Sequence, residues 1–99
     1  MKKGKAKIRK LVLDVIKPLE PGVVEVAKEI SKLRGIKGVN VSVLEIDKKV
    51  ENVRITVVGD NIDFKKISDA IEKFGGAVHS VDEVAAGREI VEPAKTLED

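Results

Sequence analysis

The hydrophobic periods along this 99-residue chain predict an α+β sandwich, with two helices laid on one face of a four-stranded antiparallel sheet. Three observations carry the prediction. Two segments with apolar residues at helical spacing each lie between segments of period two. The two middle period-two segments are separated only by a tight polar turn. A chain of this length builds one hydrophobic core and not two, because domains below roughly 100–150 residues do not subdivide.

From Ile8 to Ile16, Leu11, Leu13 and Val15 share one parity while Ile8, Val12, Asp14 and Ile16 share the other, which reads as a strand. Lys17-Pro18-Leu19-Glu20-Pro21 then interrupts it, since proline offers no N–H to a ladder, and Pro21 suits the first position of a helix. Val23, Val26, Ala27, Ile30 and Leu33 recur at helical spacing with Lys28, Glu29 and Lys32 opposite, and Gly35 stops that helix in the left-handed conformation. After Gly38, Val39, Val41 and Val43 mark a second strand that ends near Asp47. The turn Asp47-Lys48-Lys49 leads into a third, where Val53, Ile55 and Val57 face one way. Gly59-Asp60-Asn61 ends it and Asp63 is the N-cap of a second helix lined by Phe64, Ile67, Ala70, Ile71 and Phe74. Gly75-Gly76 closes the helix, and Ala77 to Val84 reads as a fourth strand.

The order strand, helix, strand, strand, helix, strand, with right-handed crossovers and one hairpin, is the ferredoxin-like βαββαβ arrangement with strand order 4-1-3-2. Residues 1–99 are read as one such domain, with a basic N-terminal extension at 1–7 and a C-terminal extension at 88–99. The helix-facing side of the sheet should hold Leu11, Leu13, Val39, Val41, Val43, Val53, Ile55 and Val57. That leaves Ile8, Val12, Ile16, Leu44, Ile46 and Val58 on the open face, beside Asp14, Ser42, Arg54 and Thr56. A solvated sheet face alternates to polar residues, so this apolar surplus predicts an interface in a homo-oligomer. Scattered surface aliphatics, or a bulge near Leu44 that turns some of them inward, are the competing readings.

Composition narrows the function classes. There is no cysteine, so disulfides, thiolate zinc sites and thiol chemistry are excluded. No run of about 20 apolar residues is present, which argues against a transmembrane helix and a membrane partner. The N-terminus MKKGKAKIRK lacks an apolar signal stretch, and a cytoplasmic location is expected. Glutamine is absent, the only methionine is the first residue, and Lys, Glu, Arg and Val are abundant, the pattern of a thermostable protein. Nineteen basic residues nearly balance seventeen acidic ones, yet the charges are unevenly placed. Lys2, Lys3, Lys5, Lys7, Arg9 and Lys10 crowd the first ten positions, whereas acids prevail after His79. The basic head could touch phosphates, steer subunits head to tail, or simply be solvated. Recognition of RNA bases on the sheet is disfavoured, because neither central strand carries an aromatic residue and both phenylalanines belong to the second helix.

Three kinds of chemistry are open to these residues. The topology brings Asp14, Lys17, Asp47, Glu51 and His79 to one end of the sheet. Asp14, Asp47, Glu51 and His79 there form a candidate oxygen-rich site for Ca²⁺ or Mg²⁺, against which stand salt-bridged edge carboxylates and a partly buried histidine. Nucleophilic catalysis has no support, with four serines and one histidine in no orienting motif, so no enzymatic activity is expected. An acylphosphatase reading fails because the loop after the first strand, KPLEPG, has one glycine and no arginine. The segment PGVVEVAKEISKLRGIKGVNVS resembles small-molecule-sensing ACT domains, in which helix N–H groups hold a ligand carboxylate between subunits; that resemblance implies Gly22 and Asn40, and Lys17 from the end of the first strand completes the candidate ligand-binding residues.

Taken together, LDVIKP, the EID and EN pieces of the hairpin, and GGAVHSVDEVAAG resemble an archaeal family catalogued as domain of unknown function 211. The likeness runs from about Ile8 to Glu92. It implies a ferredoxin-like fold, an archaeal cytoplasmic origin and assembly of several subunits, a ring among the options. It implies no reaction and no particular ligand residue. The combined expectation is a thermostable homo-oligomeric domain without catalysis that binds a divalent cation or small ligand at subunit boundaries. An ACT-like sensor is the alternative, and non-specific nucleic-acid contact through the basic N-terminus comes third.

Overall fold

A computed structural model describes residues 6–95, so Lys2, Lys3 and Lys5 of the basic head and Glu98 and Asp99 of the acidic tail lie outside the described residues. The elements are β1 (Ile8–Pro18), α1 (Val23–Ser31), β2 (Ile36–Ile46), β3 (Val50–Gly59), α2 (Phe64–Lys73) and β4 (Ala77–Ala86). The sheet runs β2-β3-β1-β4 with every neighbouring pair antiparallel, which is the expected 4-1-3-2 order read from the other edge. This is the ferredoxin-like fold.

Several boundaries move for local reasons. Pro18 is the last residue of β1, paired with Val50, so proline ends the ladder one residue beyond Lys17 and does not exclude Lys17 from it. Helix α1 begins at Val23 behind the N-cap Gly22, which leaves Pro21 outside it. It also closes early: the amides of Lys32 and Leu33 donate to the carbonyls of Glu29 and Ile30, a tightened 3₁₀-type ending. Leu33 still packs on the core. Helix α2 follows the prediction closely, with the Asp63 carboxylate accepting from the amides of Lys65 and Lys66.

Leu11, Leu13 and Val15 of β1 and Val53, Ile55 and Val57 of β3 form the floor of the core, covered by Val26 and Ile30 of α1 and Ile67 and Ile71 of α2. Phe64 at the start of α2 and Phe74, its C-cap, pack against this cluster. Two loops meet by backbone at one end of the molecule. Gly35 has φ +87°, and a Cβ on Gly59 would stand 2.0 Å from the Gly35 carbonyl oxygen, so neither position tolerates a side chain.

Helix length explains where the core stops. Nine or ten helical residues span about 14–15 Å, whereas an eleven-residue strand spans about 36 Å. The sheet therefore overhangs its helices. Val43 pairs with core residue Val53 and Val81 with Leu13, yet both are largely exposed, as are Leu44, Ile46 and Val84.

The apolar surplus assigned to the open face is consequently divided. Val12, Ile16 and Val58 pair with Thr56, Asn52 and Lys10 and share that face with them. Ile8 does not join them: a register shift between Ile8 and Lys10 turns it onto the core cluster. A second shift between Val43 and Glu45 sets Glu45 opposite Asn52 and Ile46 opposite Glu51, which moves Ile46 to the helix side and leaves Leu44 at the bulge.

Candidate functional site

Alternation sorts the charged residues at the hairpin end of the sheet onto two faces. Lys17 shares the parity of Leu11, Leu13 and Val15, and Glu51 that of Val53, Ile55 and Val57, so both point toward the helix side and pair across the ladder. Lys17 is only 2% exposed and Glu51 6%. The Lys17 ammonium donates to Glu51 Oε1 at 2.5 Å and to the Pro18 carbonyl at 2.7 Å. A Cβ on Gly76 would come within 3.1 Å of Lys17 Cβ, which shows how tightly the turn after α2 closes over the lysine stem. The two charges satisfy each other inside the protein and offer nothing to a ligand.

On the other face, Asp14, Asp47 and His79 line an open cleft of about 320 Å³ together with Ile16, Glu45, Val50 and Asn52. Each side chain has a local reason to be there. Asp14 is on the open parity of β1, and the Asn52 side-chain amide on the adjacent strand donates to its carboxylate and, at 3.1 Å, to the Val15 carbonyl. Asp47 accepts from the amides of Lys49 and Val50, both at 2.9 Å, and so builds the hairpin turn. Those two hydrogen bonds, Val50 first, hold its carboxyl below the usual carboxylate range. His79 lies on β4 between Val78 and Ser80, where the β1 register shifts.

Three of the four residues expected to hold a cation thus meet in one cleft. Glu51 does not, for the parity reason just given, and the neighbouring Glu45 takes the open side in its place. Even so, the described residues contain no group of three His, Cys, Asp or Glu side chains placed to hold a metal ion. Glu45 and Asn52 were not singled out from the sequence. Asn52 was legible as the open-parity neighbour of Arg54 and Thr56, whereas Glu45 depends on a bulge that no residue type announces.

Within one chain, the residues expected of an ACT-like ligand site between subunits lie apart. Gly22 caps α1 on the helix side, and Lys17 is committed to Glu51. Asn40 pairs with Thr56 on the open face, where its side-chain oxygen accepts from the Ser42 hydroxyl.

The family model described as domain of unknown function 211, "Uncharacterized ArCR", matches residues 9–99. The chain belongs to this family. An uncharacterized protein of Methanocaldococcus jannaschii, MJ0319, is 48% identical over 92 residues, covering 93% of this chain and 95% of its own length. The domain of unknown function 211 match therefore takes in all of the fold but the first residue of β1, and both faces of the hairpin end. No helix among the described residues is long and apolar enough to cross a membrane.

Proposed function

We propose that the chain is a non-catalytic assembly module that joins further copies of itself through the two free edges of its sheet. One observation supports this above the others: five of the nine large apolar side chains exposed among the described residues lie along those edges. Val43, Leu44 and Ile46, the last 65% exposed, lie along β2, and Val81 and Val84, the last 54% exposed, lie along β4. Both edges present unpaired backbone groups, a template for strand pairing that proteins otherwise blunt or cover. Because β2 and β4 are different surfaces, joining one to the other is a head-to-tail contact, which closes into a ring when the rotation permits. Lys, Glu and Arg enrichment without cysteine or glutamine supports a heat-stable, cytoplasmic protein.

Sedimentation equilibrium of the purified chain tests the reading. Several copies per particle are expected, and charge placed at both edges, Ile46→Lys with Val84→Lys, should return monomers. A monomer at high micromolar concentration of the unaltered chain would sink it.

The second reading is a divalent cation or small cationic ligand in the Asp14–Asp47–His79 cleft at a subunit boundary. It is favoured by the three carboxylates, Glu45 included, that line one concave surface. A thermal-shift titration with Ca²⁺ and with Mg²⁺ should raise the midpoint if either ion binds the native assembly. No shift with either ion removes the cation.

A further inference from the structure

The end of the sheet opposite the hairpin has the reverse character. There the start of β1, the end of β3 and the end of β4 enclose a cleft of about 440 Å³ lined by Lys7, Arg9, Asp60, Gly87 and Arg88. Asp60, the single acid in the lining, is engaged twice, 3.7 Å from Arg9 and 3.2 Å from Lys37. Arg9 is held as a fixed strut: its guanidinium donates to the carbonyl oxygens of Gly59 at 3.0 Å and Arg88 at 2.5 Å. By contrast, neither the Lys7 ammonium nor the Arg88 guanidinium has an ion-pair or hydrogen-bond partner among the described residues, and both side chains are exposed. Glu89 follows Arg88 in the chain, and in sequence Lys2, Lys3 and Lys5 lead directly into Lys7.

We propose that this basic end binds the sugar–phosphate backbone of duplex nucleic acid, without reading its sequence. The cleft contains no apolar side chain, which disfavours a protein partner, since the buried centre of a protein interface is apolar. Interfaces with nucleic acid are polar and basic instead. Single strands are disfavoured as well, because such sites stack bases on aromatic rings, and the two phenylalanines of this chain are packed on its core. What remains is phosphate contact by positive charge, which is indifferent to sequence and sensitive to salt.

The proposal is tested by fluorescence anisotropy of a short labelled DNA duplex titrated with the full chain over a series of KCl concentrations. Binding at about 50 mM KCl that weakens steeply with salt is expected. Lys7→Glu with Arg88→Glu should lower the affinity roughly tenfold or more and reduce the slope of log affinity against log salt by about two. Lys48→Glu with Lys49→Glu, at the far end of the sheet, should change neither. Since all four side chains are exposed, circular dichroism melts should show the fold retained; should the paired reversal fail to fold, Arg88→Ala alone reads the same contact. The idea is overturned by absence of binding at about 50 mM KCl, by an equal loss in the hairpin variant, or by polyglutamate competing as well as unlabelled duplex, which would reassign the surface to acidic proteins.

Discussion

Asp14 and Lys17 are three residues apart on β1, and Glu51 and Asn52 are neighbours on β3, yet the side of the sheet on which each falls decides its chemistry. Lys17 and Glu51 are closed into a buried pair under the turn that follows α2. Asp14 and Asn52 are joined by a hydrogen bond at the floor of an open cleft, with Asp47, Glu45 and His79 around them. On the covered side, removing charges from water is costly and is offset only by mutual contact. On the open side, water screens the same charges, so they contribute little to stability and remain available to a partner. One residue of register is the whole difference.

The comparison breaks most visibly at Glu51. Glu51→Ala strands the Lys17 ammonium with the Pro18 carbonyl as its remaining partner and should cost about 3–5 kcal/mol. In a thermal melt a domain of this size then loses roughly 15–30 °C. Replacing both partners, Lys17→Met with Glu51→Leu, should recover most of that loss, because apolar groups of similar volume have no charge to desolvate. If the single substitution moves the melt by less than a few degrees, the pair is not sealed from water.

A smaller effect is expected on the open side. Asn52→Ala removes the donor to Asp14 and to the Val15 carbonyl and should cost about 1–2 kcal/mol by chemical denaturation. Asp47 sharpens the contrast through pH. Its carboxyl is held below its ordinary value of 3.8, so its contribution is present above that value and is lost as pH falls through the lower folded one. Amide hydrogen exchange should show the protection of Lys49 and Val50 falling under acid conditions, while the amides of Val53 and Ile55 stay protected. In an Asp47→Ala variant those turn amides should be unprotected at every pH. His79→Ala should be the quietest change, within about 0.5 kcal/mol, since the ring is exposed at the rim of the cleft.

The sequence foretold the architecture because local signals agreed there: two periods of 3.6, four of two, one polar hairpin turn and an N-cap at Asp63 all pointed to the same fold. The cleft was half legible. Asp14, Asp47 and His79 converge as their topology implies, while Glu51 departs by a parity that Val53, Ile55 and Val57 already displayed. A bulge near Leu44 stands among the sequence readings and accounts for Ile46, whereas the placement of Glu45 at that bulge and the shift at Ile8 were not legible, because hydrophobic alternation is silent on such irregularities. The basic end needed the third dimension most, since Lys7, Asp60 and Arg88 are remote in sequence and meet only where strands end together.

That meeting has a consequence for chain connectivity. Ile8 and Ala86 are partners in the ladder, and the amide of Gly87 donates to the carbonyl of Lys7 at 2.8 Å, so β4 arrives beside the point from which β1 departs. A short linker across that gap, with the backbone opened instead between Lys48 and Lys49, gives a circular permutant that reads β3-α2-β4-β1-α1-β2. That is again strand, helix, strand, strand, helix, strand. Its strands, renumbered from the new start, lie side by side as 4-1-3-2, the order of the parent. The topology is thus unchanged when its two halves exchange places, and neither half is structurally the first.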